Sequence, residues 1–164
     1  MKDEYGLGFL KLKTDHDEQE LEGALMTKMN RFLVEMGGTF AFIGNQYRLE
    51  VGGQEYFIDL LLYNRRLRCF VVMELKTGAF KPEYVGKMQF YLAALDDLVK
   101  EKSEKPSIGI ILCKDKNRTV VEYALKESRR PIGVSKYRMM TEIPRELKKD
   151  LPPPELISQL LLEV

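Results

Sequence analysis

Three strand-forming runs follow one another between residues 39 and 75 with almost no chain between them, and this constrains the fold more than any other feature. Residues 39–51 and 55–63 are rich in aromatic and β-favouring side chains, and Gly52-Gly53 lies between them. A Gly-Gly pair flanked by such runs signals a tight hairpin. A third run, residues 69–75, follows the polar turn begun by Asn64, Arg65 and Arg66. Connections this short leave no room for a crossover, so the three runs are predicted to form an antiparallel meander.

Helical periodicity brackets the meander. Leu21, Leu25, Met29, Phe32 and Met36 recur at helical spacing after an acidic stretch, and Gly37-Gly38 ends the pattern. This predicts one continuous first helix. Pro82 suits the first turn of a second helix, with Tyr84, Met88, Tyr91, Leu95 and Leu98 on its inward face. Residues 107–113 form an unbroken apolar run, as expected of a strand covered on both faces. A third helix is predicted over 118–127 and a last short strand over 132–137. The order defines an α/β fold, with a domain over residues 1–143. Residues 144–164, interrupted by Pro152-Pro153-Pro154, are expected to form a tail with a short helix packed on the domain.

At 164 residues the chain suits one α/β core, and 45% hydrophobic with 31% charged residues excludes general disorder. The net charge of +1 sets up no global field towards nucleic acid, although an acidic site beside basic patches gives the same total. Cys69 and Cys113 lie inside apolar runs without zinc spacing, and are read as buried free thiols. No signal peptide and no membrane-length apolar run is evident, so the expected location is the cytoplasm, with no membrane partner. His16, the one histidine, sits among acidic residues and is expected to be exposed beside a helix cap, with no catalytic role.

The chemistry is expected where charge interrupts the meander. Asp59 is surrounded by Ile58, Leu60, Leu61 and Leu62, and Glu74 and Lys76 close a run that begins Phe70-Val71-Val72. A buried charge costs several kcal/mol unless it is paired or binds a metal. Side chains alternate along a strand, so Glu74 and Lys76 share a face and Leu75 points the other way. If the turn keeps an odd sum of paired residue numbers, for example Asp59 opposite Val72, Asp59 joins that face diagonal to Glu74. Two carboxylates there suit Mg²⁺, with Mn²⁺ as a substitute, and Lys76 is placed to orient a water or hold a phosphate. The alternative is structural: E-x-K is a common tripeptide, and Asp59 has Lys76 and Arg68 within sequence reach as salt-bridge partners.

The stretch Gly38-Thr39-Phe40-Ala41-Phe42-Ile43-Gly44-Asn45-Gln46-Tyr47 carries more specific information, together with Phe57-Ile58-Asp59-Leu60-Leu61, Met73-Glu74-Leu75-Lys76-Thr77-Gly78 and Lys81-Pro82-Glu83-Tyr84. With residues 87–96, Ile110 to Lys114 and Asn117 to Leu125, these resemble the YhcG-type family of PD-(D/E)XK nucleases over most of the chain. The resemblance implies a restriction-endonuclease-like αβββαβ core with a mixed sheet flanked by helices. It implies Asp59 as the metal-binding acid and Glu74 and Lys76 as the E-x-K pair. Ile58 stands where the motif has proline. The superfamily often adds a first-helix glutamate to the site; Glu18, Glu20 and Glu22 compete for that role, and Glu22, on the face of Leu25, Met26 and Met29, is the favoured candidate. The related Gln-x-x-x-Tyr pattern corresponds to Lys87 and Tyr91, with lysine in first place. These two, with Arg65 and Arg66, are the candidate nucleic-acid-binding residues, the ring of Tyr91 being better suited to the core.

The expected function is therefore a Mg²⁺-dependent phosphodiesterase acting on nucleic acid, DNA before RNA. The alternative is a non-catalytic nucleic-acid or protein-binding module on the same fold. The helical N-terminal region that relatives carry is absent from this sequence, so a partner domain or subunit is expected in its place, and a homodimer is a further expectation.

Overall fold

The computed structural model describes residues 2–139, so the expected tail helix over 144–164 lies outside the described residues. Chain order is β1 (Glu4–Gly6), a 3-10 turn (Gly8–Leu10), α1 (Glu18–Thr27), α2 (Met29–Glu35), β2 (Phe40–Val51), β3 (Gln54–Asn64), β4 (Cys69–Leu75), α3 (Glu83–Leu98), β5 (Ile108–Cys113), α4 (Arg118–Leu125) and β6 (Ile132–Arg138). Among the described residues one six-stranded sheet runs β1-β6-β5-β4-β3-β2. The β2–β3–β4 meander is antiparallel, whereas β4–β5, β5–β6 and β6–β1 are parallel. The sheet is therefore mixed, with helices on both faces.

Turn chemistry explains the meander. Gly52 and Gly53 have φ of +60° and +77°, the double left-handed conformation that a two-residue loop matching the twist of its strands requires. At the other end the Asn64 carboxamide oxygen accepts from the backbone N–H groups of Arg66 and Leu67, a side-chain-built turn.

Alternation along β3 and β4 builds two cores. Leu60, Leu62, Val71, Met73 and Leu75 pack with Leu21, Leu25 and Phe32 of α1 and α2. Leu61, Val72, Ile111 and Cys113 pack with Val85, Met88, Leu92 and Leu95 of α3. Each buried large aliphatic side chain contributes about 1.5–3 kcal/mol, and burying both faces of β4 and β5 is what their apolar runs encode. Helix α3 sits very close to the sheet: a Cβ added at Gly109 of β5 would come 2.5 Å from Met88 Sδ. Glycine permits that approach.

Two expectations are corrected, and one strand is added. The single first helix is two, because Lys28 leaves helical geometry at φ −112°, ψ 33°. The break resets the helical phase, so Leu21, Leu25 and Phe32 all reach one core with no exposure. The N-terminal segment also supplies an edge strand, β1, that local pattern does not reveal, because it extends the sheet through pairing with β6, more than a hundred residues later in sequence. His16 is buried, with 5% exposure, rather than exposed beside a cap. Its Nδ1 lies 2.5 Å from the Lys13 carbonyl and its Nε2 2.7 Å from the Tyr137 hydroxyl. A carbonyl only accepts, so Nδ1 donates and Nε2 accepts from the hydroxyl.

Both cysteines are free and buried. Burial pushes the Cys113 thiol up to about 12, which keeps it from forming a thiolate. Among the described residues no helix is long and apolar enough to cross a membrane.

Candidate active site

The β3–β4 ladder pairs Asn64 with Cys69 at the turn and runs to Leu60 opposite Met73. Continuing it by one residue sets Asp59 opposite Glu74, directly across rather than diagonal as the example register had it. The sum of paired numbers is odd, so Asp59 still shares a face with Val72, Glu74 and Lys76. Beyond Leu60 the strands part, and Asp59 turns its carboxylate into the opening, where Oδ2 accepts from the Leu75 N–H at 2.9 Å. The salt-bridge alternative does not describe this side chain: among the described residues its hydrogen-bond partners are the Leu75 N–H and the Gln46 amide, not Lys76 or Arg68.

Glu74 occupies the opposite situation. It is 3% exposed, and among the described residues no N–H or hydroxyl group donates to either carboxyl oxygen; the neighbouring group is the Asp59 carboxyl. Burial first, and then the adjoining Asp59 carboxyl, push its pKa from 4.5 up to about 9; Lys87 and Lys76 pull it back only in part. A carboxyl in that state holds its proton at neutral pH, and a cation bound beside it would displace that proton. Cations are close by. Lys76 follows β4 and holds Nζ 4.6 Å from the centre of the Tyr84 ring, and Lys87 of α3 holds Nζ 5.5 Å from the centre of the Tyr91 ring. The Tyr91 ring is buried in the core against β3, and its hydroxyl donates to the Phe57 carbonyl at 3.0 Å, two residues before Asp59. Tyr91 is thus at once a core residue and a tether for the strand that carries Asp59.

The three first-helix glutamates separate clearly. Glu20 is used in a capping box with Asp17, whose side chain accepts from the Glu20 N–H at 2.8 Å. Glu18 accepts from the Thr77 hydroxyl at 2.6 Å, tying the start of α1 to the end of β4. Glu22 accepts from the Asn45 and Gln46 carboxamides of β2, and Gln46 also donates to Asp59 Oδ1 at 3.2 Å. Glu22 is therefore linked to Asp59 through one side chain. Gln46 was not singled out by sequence reasoning, because a glutamine in an exposed strand carries no compositional signal.

Arg65 and Arg66 lie elsewhere. They sit in the β3–β4 turn, with Arg65 Nη2 donating to the Gly38 carbonyl. That turn starts five residues along β3 from Asp59, roughly 17 Å at strand rise.

Asp59 and Glu74, side by side on adjacent strands, are residues that could hold a cation. Among the described residues no cluster of three or more His, Cys, Asp or Glu side chains is gathered for metal binding. Mg²⁺ nevertheless commonly takes one or two protein carboxylates and completes its shell with water and phosphate oxygens. A buried, undonated carboxylate beside a second one fits that requirement.

A mixed sheet between helix layers, with an acid on each of two adjacent strands and a lysine two residues beyond the second acid, defines the restriction-endonuclease-like class of nuclease domains. Residues 1–152 match the model of the YhcG PDDEXK nuclease domain, and the chain belongs to that family. It is 34% identical over 151 residues to an Escherichia coli (strain K12) protein named "Putative nuclease YhcG", covering 92% of this chain and 40% of that protein. The chain thus spans well under half the length of this relative. Among solved structures it is similar to a repair endonuclease from Pyrococcus abyssi, with 21% identity, 74% of this chain and 48% of that one covered, and a TM-score of 0.48. It is also similar to EndoMS in a complex with double-stranded DNA, with 16% identity, 70% and 43% covered, and a TM-score of 0.49.

Proposed function

We propose that this domain hydrolyses phosphodiester bonds in DNA in a reaction that requires a divalent cation, with Mg²⁺ as the working ion and Mn²⁺ as an effective substitute. The observation that carries the proposal is Glu74, a carboxyl group 3% exposed that receives no N–H or hydroxyl hydrogen bond among the described residues, set against Asp59 and within the field of Lys76 and Lys87. Leaving such a group unpartnered is costly, and buried polar groups without partners concentrate where a ligand completes them. Carboxylates select hard cations. When bound, the ion supplies a lowered water pKa and offsets charge on the phosphoryl oxygens.

The residues divide the remaining work. Asp59 and Glu74 bind the ion, with Glu22 contributing from α1 through its link to Asp59. Lys76 orients the attacking water or holds a non-bridging phosphate oxygen. Lys87, exposed at the rim on the packed Tyr91 ring, takes a phosphate of the substrate backbone, and Arg65 and Arg66 contact phosphates farther along the strand.

A cleavage assay with purified protein tests this on matched DNA and RNA. The expected result is DNA cleavage with Mg²⁺ or Mn²⁺, abolished by EDTA and by Asp59→Ala. Cleavage that persists in EDTA, or equal rates for Asp59→Ala and wild type, would overturn the mechanism. Cleavage of RNA alone would overturn the substrate assignment.

A further inference from the structure

We propose that Gln46 is a positioning residue that ties the Asp59 carboxylate to Glu22 in one fixed arrangement, so that Asp59 is preorganised to receive the cation together with Glu74; this rests on the nuclease reading above. Two independent features of β2 converge on it.

The first is register. Strand β2 pairs with β3 at a sum of 104 near Phe40 and Phe42, then shifts at an irregularity between Phe42 and Gly44, so that Asn45 faces Leu60 and Tyr47 faces Ile58. The bulge therefore puts Gln46 across from Asp59, where an unbulged strand would put Asn45. One-residue insertions of this kind re-aim a side chain beside functional sites.

The second is conformation. Gln46 adopts φ +45° within the strand, a left-handed backbone that costs an L residue free energy and persists where the surroundings hold it. What holds it is its side chain. Nε2 lies 3.0 Å from both Glu22 oxygens and 3.2 Å from Asp59 Oδ1. An amide nitrogen has two hydrogens, so one is shared between the Glu22 oxygens and the other goes to Asp59. Both donors are spent on carboxylates that come from different elements, α1 and β3. The arrangement explains why, among the described residues, Asp59 has a donor on each oxygen while Glu74 has none: the amide and the Leu75 N–H orient Asp59, and Glu74 is left for the ion. Gln46 itself does not touch the reacting atoms; it acts through the two acids.

Gln46→Asn separates bridging from backbone strain. Asparagine tolerates the left-handed conformation at least as well as glutamine, but it is one methylene too short to span the two acids. Mn²⁺ binding by calorimetry, cleavage kinetics and thermal melts in EDTA are compared for wild type, Gln46→Asn, Glu22→Gln and the double variant. The expected result is a melting temperature for Gln46→Asn close to wild type, Mn²⁺ affinity weaker by about 10- to 100-fold, a matching rise in the Mn²⁺ concentration needed for cleavage, and an unchanged KM for DNA at saturating ion. The double variant should bind Mn²⁺ no more weakly than the worse single one, since either change breaks the same link. Wild-type affinity in Gln46→Asn, or additive losses in the double variant, would overturn the role of Gln46 and leave the nuclease reading intact. Failure of the wild-type protein to bind Mn²⁺ and to cleave would remove both.

Discussion

Replacing Glu74 by glutamine is expected to make the protein more stable in the absence of metal, although it removes an acid proposed for catalysis. The wild-type side chain is 3% exposed and its pKa is pushed from 4.5 to about 9. A raised folded-state pKa on an acid means that folding favours the protonated form. The associated stability is fully present below about pH 4.5 and is lost as pH rises towards about 9. At about pH 7.5 the gap from 4.5 is three units, and at about 1.4 kcal/mol per unit this amounts to roughly 4 kcal/mol of stability forgone. Glutamine is neutral throughout and keeps the shape, and its amide can donate to the Asp59 carboxylate across the strand pair. Allowing for imperfect hydrogen bonding of the buried amide, the gain is about 2–4 kcal/mol, or about 5–15 °C in melting temperature for a chain of this size. The assay is a series of thermal melts by circular dichroism in EDTA from about pH 5 to about pH 8.5. The difference between variant and wild type should be under about 1 kcal/mol at the acid end and widen steadily with pH. Adding Mn²⁺ should raise the wild-type melting temperature and leave the variant nearly unmoved. A variant that melts at or below wild type at about pH 8 in EDTA, or a difference that does not grow with pH, would refute the argument that burial without donors governs Glu74.

Other perturbations probe different parts of the site. Asp59→Ala should abolish cleavage and also destabilise the fold by about 1–3 kcal/mol, because the Leu75 N–H loses its acceptor; denaturant melts measure the second effect. Lys76→Met should lower kcat by roughly 10²–10³-fold with little change in Mn²⁺ affinity if it acts on water or phosphate, as kinetics and calorimetry together would show. Gly109→Ala should cost about 1–3 kcal/mol because its Cβ meets buried Met88, while the metal dependence of cleavage is unchanged, so that stability and function separate in one variant.

How much of this was legible in the sequence follows from the range of each interaction. The meander, its Gly-Gly turn and the strand boundaries are set by local dihedral preference and by short connections, and they appear where the residues predict them. The shared face of Glu74 and Lys76 follows from the two-residue period of a strand, and Asp59 joins it for any odd register. The side on which the acids fall was therefore readable without coordinates. Their separation was not: whether Asp59 stands diagonal to Glu74 or directly across depends on a two-residue choice of register, which the turn closed by the Asn64 side chain sets at Asn64 opposite Cys69.

What only tertiary structure decided depends on contacts between distant segments. His16 is buried because its ring meets Tyr137, 121 residues away in sequence, so its acidic neighbours give no hint of its surroundings. The N-terminal segment becomes a strand because β6 offers an edge. Gln46 meets Asp59 because a bulge shifts β2 by one residue, and Glu22 of α1 joins them through the Gln46 amide. Above all, sequence can show that an acid lies in an apolar strand, but only the folded chain determines whether donors reach it. The donors around this site reach Asp59 and stop short of Glu74, and that asymmetry is a property of the packing.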